Sequence, residues 1–228
     1  MTAYPIDPLL PRLCEALQPG STVLLQAPPG AGKTTRVPLA LLGALGPMGD
    51  NRIREGRIWM IEPRRLAARA AASRLAETLG ESVGERVGFS VRGEQQRSAQ
   101  TQVEVITDGL FLRRLQADPA LNGVAVVLFD EFHERRRDAD LAFALLQEAR
   151  PLLQPELAVM LMSATLDLSD LRNRLPEAAV LESEGRAHPV ETVHQLPRRD
   201  EALPRQVLRA IETHAIELPA RSLSLIHI

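Results

Sequence analysis

The sequence is poor in lysine, cysteine and aromatic residues. The shortages of cysteine and of aromatic residues each argue against a structural feature. Lys33 is the only lysine among 27 basic residues, so arginine carries the remaining positive charge. The one cysteine, Cys14, cannot form an internal disulfide, which fits a reducing compartment. Aromatic residues make up 3% of the chain, too few for base-stacking platforms to dominate nucleic-acid binding. The net charge of −2 argues against a uniformly basic nucleic-acid binder but is compatible with a local arginine-lined groove.

Long hydrophobic runs and targeting signals are also missing. The longest apolar runs, such as 124–129, are far shorter than the roughly 20 residues that span a bilayer. Residues 1–11 contain prolines and Asp7 instead of the basic stretch and apolar core of a signal peptide. The 228 residues, 45% of them hydrophobic, suffice for one α/β domain and a fragment of another. We therefore expect a cytoplasmic protein without a membrane segment.

The stretch 23–35 has the pattern of a buried strand, a glycine-punctuated turn and the start of a helix, as in a phosphate-binding loop. Gly30 and Gly32 allow successive backbone N–H groups to converge on an anion, and the helix N-terminus favours the same charge. The compact ammonium of Lys33 suits the β- and γ-phosphates of a triphosphate, and the Thr34 hydroxyl suits a bridging Mg²⁺. A chance glycine-rich turn is the alternative, which the preceding buried strand disfavours.

A second signal is the acid pair Asp130 and Glu131, which follows the apolar run 124–129. In nucleotide hydrolases such a strand lies beside the phosphate loop, and Asp130 is predicted to hold Mg²⁺ while Glu131 polarises the attacking water. Solvated acids at a strand end are the alternative, disfavoured because the reaction requires both sites together. His133 does not begin a zinc HExxH motif, because Arg137 stands where the second histidine belongs.

Two further polar stretches carry weaker signals. Arg136 and Arg137 are interpreted as a solvated helix start. Ser163-Ala164-Thr165 follows a predicted strand, where a hydroxyl can simply cap the next helix. At the carboxyl end of the same sheet, these residues could equally sense the phosphate state of a nucleotide and relay it.

Strands alternate with helices along the chain, which predicts an α/β fold with a doubly wound, mostly parallel sheet and ligands at the carboxyl ends of its strands. Strands are predicted from 23 and at 57–62, 86–91, 103–107, 124–129, 157–162, 180–182 and 190–196. Helices are predicted at 7–17, 34–45, 63–79, 109–116, 138–149, 168–175 and 203–218, with Asp108 capping the fourth. Polar stretches at 46–56 and 93–102 are predicted to be loops.

The texture of the sequence changes after residue 184. Residues 1–184 are predicted to form the first domain, and residues 185–228 a linker and the start of a second. Prolines at 189, 197 and 204 among scattered charges indicate the linker. The apolar end 223–228 has no strand partner, so we expect the sequence to be cut short there and leave open whether this tail is native.

Six segments, in order, resemble superfamily 2 helicases of the DEAH/RHA type. They are APPGAGKTT (27–35), EPRRLAAR (62–69), VGFSVR (87–92), TDGL (107–110), DEFHER (130–135) and SAT (163–165). Phe132, where most proteins of this type carry alanine, indicates a bacterial branch of ATP-dependent RNA helicases. The segment 184–191 resembles the exit from the first RecA-like domain, and the likeness extends over nearly all of residues 8–200.

The resemblance implies a RecA-like P-loop domain that binds ATP and Mg²⁺ and couples ATP hydrolysis to movement on, or unwinding of, RNA, with DNA left open. Nucleotide binding is implied for Gly30, Ala31, Gly32, Lys33, Thr34, Thr35 and, stacked on adenine, Arg74. Metal binding is implied for Thr34 and Asp130, and catalysis for Glu131 and Lys33. Contacts to the nucleic-acid backbone, which position a strand without reading it, are implied for Arg64, Arg65, Thr107 and Asp108. Coupling of hydrolysis to strand movement is implied for His133, Ser163 and Thr165.

Proteins of this type also need a second RecA-like domain that supplies arginine fingers, and nothing after residue 197 matches its motifs. Because such fingers contribute about 10³–10⁵ in rate, we expect the chain alone to bind ATP, hydrolyse it slowly and leave duplexes intact. The alternative is a P-loop ATPase that switches or remodels protein partners, against which TDGL and EPRRLAAR argue. A small-molecule kinase is less favoured, because Glu131 beside Asp130 suits water activation. The sequence indicates no particular RNA, direction of travel, base preference or protein partner.

Overall fold

The computed structural model describes residues 4–45, 56–164, 171, 173–183 and 202–215, and every structural statement below concerns these residues. The chain divides into two compact units, Met1–Ala187 and His188–Ile228. The second unit contributes one described helix, α6 (Leu203–Ala215). Within the described ranges, no helix is both long and apolar enough to cross a membrane.

Eight described strands in the first unit form a single sheet. Their bounds are β1 Thr22–Gln26, β2 Arg57–Glu62, β3 Val87–Val91, β4 Glu94–Gln96, β5 Val103–Thr107, β6 Val124–Phe129, β7 Ala158–Ser163 and β8 Ala179–Glu182. The spatial order is β4-β3-β5-β2-β6-β7-β1-β8. All neighbours are parallel except β3 and β4. The prediction of a doubly wound, mostly parallel sheet is therefore confirmed.

Helices cover both faces of this sheet. Their bounds are α1 Leu10–Ala16, preceded by a 3-10 turn at Asp7–Leu9, α2 Lys33–Leu41, α3 Arg65–Leu79, α4 Asp108–Ala117 and α5 Arg137–Leu153. Alternate strand residues separate two cores because successive side chains in a strand point to opposite faces. In β6, Val126 and Leu128 pack with the core beneath α1, α2 and α3, while Val127 and Phe129 pack with the core beneath α4 and α5. Strands buried on both faces in this way explain the continuous apolar run that marks β6 in the sequence.

Several sequence-based boundaries differ from the structure. Strand β4 falls in the stretch 93–102 that is predicted to be a loop; its three residues are exposed, so it has no hydrophobic signal. Thr107 rather than Asp108 is the N-cap of α4. Helix α2 ends at Leu41 instead of 45, and α5 continues past 149 to Leu153 with Pro151 inside it. The predicted loop 46–56, except Gly56, and the predicted strand 190–196 lie outside the described residues.

Candidate active site

The loop between β1 and α2 has the conformation that phosphate binding requires. Gly30 and Gly32 have φ angles of +75° and +99°, a region that side-chain-bearing residues rarely adopt. Gly32 is the N-cap of α2, so the N-terminus of the helix opens onto the loop. Lys33 is the first residue of the helix and is buried, and its Nζ donates to the carbonyl oxygens of Ala27 at 2.6 Å and Pro28 at 3.3 Å. The loop therefore gathers backbone donors and one ammonium at the end of β1.

The acid pair after β6 meets this loop, although β7 lies between β6 and β1 in the sheet. The Thr34 hydroxyl donates to Asp130 Oδ2 at 2.5 Å. Asp130 Oδ1 accepts from the backbone N–H of Glu131 at 2.8 Å, which fixes the buried carboxylate. Thr34 and Asp130 are 96 residues apart in the sequence, yet their side chains are in direct contact.

Glu131 is on a strained turn. Its φ of +49° lies in the left-handed region, as does that of Arg135 at +50°, and the two residues flank a 3-10 turn at Phe132–Glu134. Partial burial raises the pKa of Glu131 most, and the charge of Asp130 raises it further, while Lys33 and His133 lower it. A carboxylate with a raised pKa is a better proton acceptor than an ordinary one. His133 Nδ1 lies 3.4 Å from Glu131 Oε2.

Sequence reasoning missed Glu62, the last residue of β2. It is 4% exposed, and burial, followed by the charge of Asp130 and a side-chain hydrogen bond with it, raises the pKa of Glu62 to about 9. The Glu62 carboxyl therefore favours its protonated form, which hydrogen-bonds to Asp130 next to the adjacent strand β6. The signal was present in the sequence, because β2 is an apolar run that ends in an acid, as β6 is.

Three of the four residues implied to contact nucleic acid lie around a groove of about 600 Å³ at the carboxyl ends of β2, β3 and β5. Arg65, Thr107 and Asp108 line it, together with Arg92 and Arg113. Arg64 instead pairs with Glu134 at 2.6 Å, on the side of the acid pair. The structure therefore brings three of the four residues to one groove.

Asp108 is buried and already has partners. Its Oδ2 accepts from Arg136 Nε at 2.6 Å, and its Oδ1 accepts from the N–H of Gly109 at 2.8 Å. Arg136 is the N-cap of α5 and its side chain is 44% exposed, as a solvated helix start should be, but its guanidinium also pairs with Asp108 of α4. The interpretation as a solvated helix start also fits Arg137, whose side chain is 92% exposed.

The remaining implied residues differ in how they relate to the phosphate loop. Arg74 lies in the middle of α3 with an exposed side chain, and no hydrogen bond or ion pair among the described residues joins it to the phosphate loop. Ser163 is fully buried at the end of β7, where its carbonyl accepts from Ala27 N–H at 3.0 Å. Thr35 Oγ1 donates to Gly32 O at 3.4 Å. Thr165 lies outside the described residues.

A divalent cation fits the contact between Thr34 and Asp130. Within the described part of the chain, no group of three or more His, Cys, Asp or Glu side chains could hold a metal ion. Mg²⁺ in nucleotide hydrolases needs no such cage, since it uses one or two side chains and completes its shell with phosphate oxygens and water. A hydroxyl and a carboxylate 2.5 Å apart beside a phosphate-binding loop are such a pair.

Comparisons with known proteins agree with this geometry. The family model for the DEAD/DEAH box helicase matches residues 11–173. The chain is 47% identical over 191 residues to the ATP-dependent RNA helicase HrpB of Escherichia coli (strain K12), covering 84% of this chain and 23% of that protein. It is 33% identical over 217 residues to the probable ATP-dependent RNA helicase DHX34 of Mus musculus, covering 92% of this chain and 18% of that protein.

A solved structure gives the same result in three dimensions. The crystal structure of the Escherichia coli DEAH/RHA helicase HrpB superimposes with a TM-score of 0.86 at 42% identity, covering 95% of this chain and 27% of that chain. The resemblance read from the six sequence segments is thereby confirmed. The chain spans less than a third of the length of these relatives.

Proposed function

The chain belongs to the DEAD/DEAH box helicase family, and on that premise we propose that it is the ATP-binding motor domain of an ATP-dependent RNA helicase of the HrpB-like, DEAH type. ATP hydrolysis in this domain drives movement on, or unwinding of, RNA. The observation that carries the proposal is the 2.5 Å hydrogen bond from Thr34 Oγ1 to Asp130 Oδ2. It joins the phosphate loop to the acid pair, the two sites that triphosphate hydrolysis needs together.

The residues of the loop bind and orient the triphosphate. The N–H groups around Gly30 and Gly32 surround the phosphate oxygens, and Lys33 exchanges its two carbonyl acceptors for the β- and γ-phosphates. Thr34 and Asp130 would hold Mg²⁺, which would neutralise the charge that develops on the phosphates. Glu131 accepts the proton of the attacking water, a task that its raised pKa favours.

The groove lined by Arg65, Thr107 and Asp108 is the proposed site of the RNA backbone. Its arginines suit phosphates of any sequence, so binding is expected to depend little on base identity. The ion pair of Asp108 and Arg136 lies in the groove, shortly after the turn that follows the acid pair. Arg64, outside the groove, pairs with Glu134 of that turn. Roles of His133, Ser163 and Thr165 in coupling hydrolysis to strand movement are part of the same proposal.

The test is nucleotide binding by the purified chain, together with ATP hydrolysis, with and without single-stranded RNA, by a protein that joins this chain to a second RecA-like domain. Lys33→Ala is expected to weaken binding of a fluorescent ATP analogue by about 10–100-fold, because a charge-assisted hydrogen bond contributes about 1.5–3 kcal/mol. Glu131→Gln is expected to retain binding and lower turnover by about 10²–10⁴-fold. Arg86→Ala, which removes an ion pair at the opposite end of β3, is the matched control.

Two results would contradict the proposal. Wild-type affinity in Lys33→Ala would exclude the phosphate loop as the nucleotide site. Nucleotide binding and turnover that ignore RNA at every concentration would favour the alternative, an ATP-driven switch that acts on protein partners.

A further inference from the structure

The segment Tyr4–Asp7 packs directly against the phosphate-binding loop. The N–H of Ile6, a fully buried residue, donates to the carbonyl oxygen of Ala31 inside the loop at 3.1 Å. A Cβ placed on Gly32 would lie 2.9 Å from Cδ1 of Tyr4 and 3.1 Å from its Cβ. The ring of Tyr4 therefore occupies the space beside the glycine that caps α2.

The same segment is tied to the first turn of α2 through Arg36. Arg36 Nε donates to Asp7 Oδ1 at 2.7 Å, and its guanidinium carbon lies 5.5 Å from the centre of the Tyr4 ring. Asp7 Oδ2 accepts from the N–H of Tyr4 at 2.9 Å. The Arg36 side chain is 12% exposed, so this is a largely buried pair rather than a solvated one.

These contacts form a closed circuit around the loop. The loop leads into α2, where Arg36 N–H donates to Gly32 O at 2.8 Å. The side chain of Arg36 contacts Asp7, Asp7 contacts Tyr4, and Tyr4 lies beside Gly32. A further hydrogen bond, from Ser183 Oγ to Pro5 O at 3.4 Å, ties the segment to the end of β8. The loop is thus held from outside by chain that precedes the sheet.

Holding the loop has a physical consequence for binding. A loop with glycines at φ of +75° and +99° has many other conformations available, and ordering it on binding costs affinity. Contacts that fix the loop beforehand remove that cost, as a supporting shell does for any preorganised site. Tyr4 and Asp7 both lie outside the six helicase-like segments, the first of which begins at residue 27.

We propose that Tyr4 and the Asp7–Arg36 pair are positioning residues that hold the phosphate-binding loop in the conformation that accepts the phosphates of a nucleoside di- or triphosphate. This inference rests on the proposed function. It assigns to the N-terminal segment a role in affinity for the phosphate tail, and none in recognition of the base.

The first experiment compares Tyr4→Ala with Tyr4→Phe, which retains the ring that contacts Gly32. The dissociation constant of a fluorescent ADP analogue is measured with each full-length chain, at temperatures where Trp59 fluorescence shows the protein to be folded. Tyr4→Ala is expected to weaken binding by about tenfold or more, since small misplacements in a site cost one to two orders of magnitude. Tyr4→Phe is expected to bind as the wild type does. The loss should be equal for ATP and GTP, and a loss that differs between them would overturn the positioning role in favour of direct base contact.

The second experiment separates positioning from direct contact at the ion pair. Asp7→Ala and Arg36→Ala are expected to weaken binding by similar factors, because either change opens the same circuit. A loss in Arg36→Ala alone would mean that Arg36 touches the nucleotide itself and would overturn the assignment of the pair. Arg86→Ala, which breaks an Arg–Glu pair of 2.6 Å remote from the loop, is expected to leave affinity unchanged.

Lys33→Ala distinguishes failure of this inference from failure of the proposed function. If Lys33→Ala loses affinity while Tyr4→Ala, Asp7→Ala and Arg36→Ala do not, the inference is wrong and the proposed function stands. If Lys33→Ala binds as the wild type does, both are wrong. Should Tyr4→Ala fail to fold, the two ion-pair variants decide the outcome.

Discussion

At the scale of the single residue, Glu62 shows how packing changes chemistry. Burial and the charge of Asp130 raise its pKa to about 9 in the folded chain, whereas the pKa of an ordinary glutamate in an unfolded chain is near 4.5. Between these two pH values the folded chain holds a proton that the unfolded chain releases. The free energy of unfolding therefore falls as pH rises through this window, by up to about 1.4 kcal/mol per pH unit.

Glu62→Gln should remove this dependence, because an amide can donate to Asp130 at any pH. The free energy of unfolding of the variant should exceed that of the wild type by an amount that grows between about pH 6 and pH 8. Urea unfolding of the nucleotide-free chain, followed by Trp59 fluorescence, measures this difference. Glu104→Gln is the contrasting control, since that buried glutamate accepts from Ser90 at 2.5 Å and Arg114 at 3.0 Å. It should destabilise, and parallel pH profiles for Glu62→Gln and the wild type would contradict the prediction.

At the scale of the element, the turn that carries the acid pair is anchored by Phe132. Its ring contacts Phe129 at 5.8 Å and Phe143 at 5.4 Å between centroids, both edge-to-face. Phe132→Ala is expected to lower the free energy of unfolding by about 3–5 kcal/mol and to reduce turnover per folded molecule, because Glu131 begins this turn. Phe89→Ala, in the core on the other face of the sheet, should cost similar stability without affecting turnover. Equal turnover in the two variants would show that the turn needs no such anchor.

Helices α4 and α5 are joined at the groove by Asp108 and Arg136. Arg136→Ala leaves a buried carboxylate without its guanidinium, so we expect destabilisation, with a coupling of about 0.5–1 kcal/mol in a double-mutant cycle with Asp108→Asn. Arg137→Ala next to it should change stability by less than about 0.5 kcal/mol, since its side chain is 92% exposed. Urea unfolding of the four chains checks both, and additive effects of Asp108→Asn and Arg136→Ala would contradict the coupling.

Elements with strong local signals could be predicted, and those defined by long-range packing could not. The αL glycine Gly80 and the apolar strand β6 appear in the sequence as such, because backbone freedom and burial each demand particular residues. Strand β4 has no hydrophobic residue, and its pairing with β3 depends on the sheet edge alone. Glu62 and the Arg136–Asp108 pair likewise depend on which strands and helices become neighbours, and that information is not local.

At the scale of the whole molecule, positive charge is distributed unevenly over the surface. The chain has a net charge of −2, yet the groove collects Arg65, Arg92 and Arg113, which make no ion pair among the described residues. RNA binding should therefore respond to salt as a small site does, with a slope of log K against log salt of about −2 for three phosphate contacts on a single strand.

Titration of the chain with single-stranded RNA at several salt concentrations measures this slope. Arg113→Ala should reduce its magnitude by about 0.7, whereas Arg57→Ala, at the amino end of β2, should not change it. A slope of about −4 or steeper would indicate a broader basic surface than the groove.

The left-handed backbone conformation of Glu131 implies that stability and hydrolytic activity make opposite demands on this position. A residue with a Cβ is held there at a cost of about 1–2 kcal/mol, which glycine would not incur. Glu131→Gly should therefore melt at a higher temperature than the parent while losing its water-activating carboxylate. The higher melting temperature of Glu131→Gly would thus come with the loss of ATP hydrolysis.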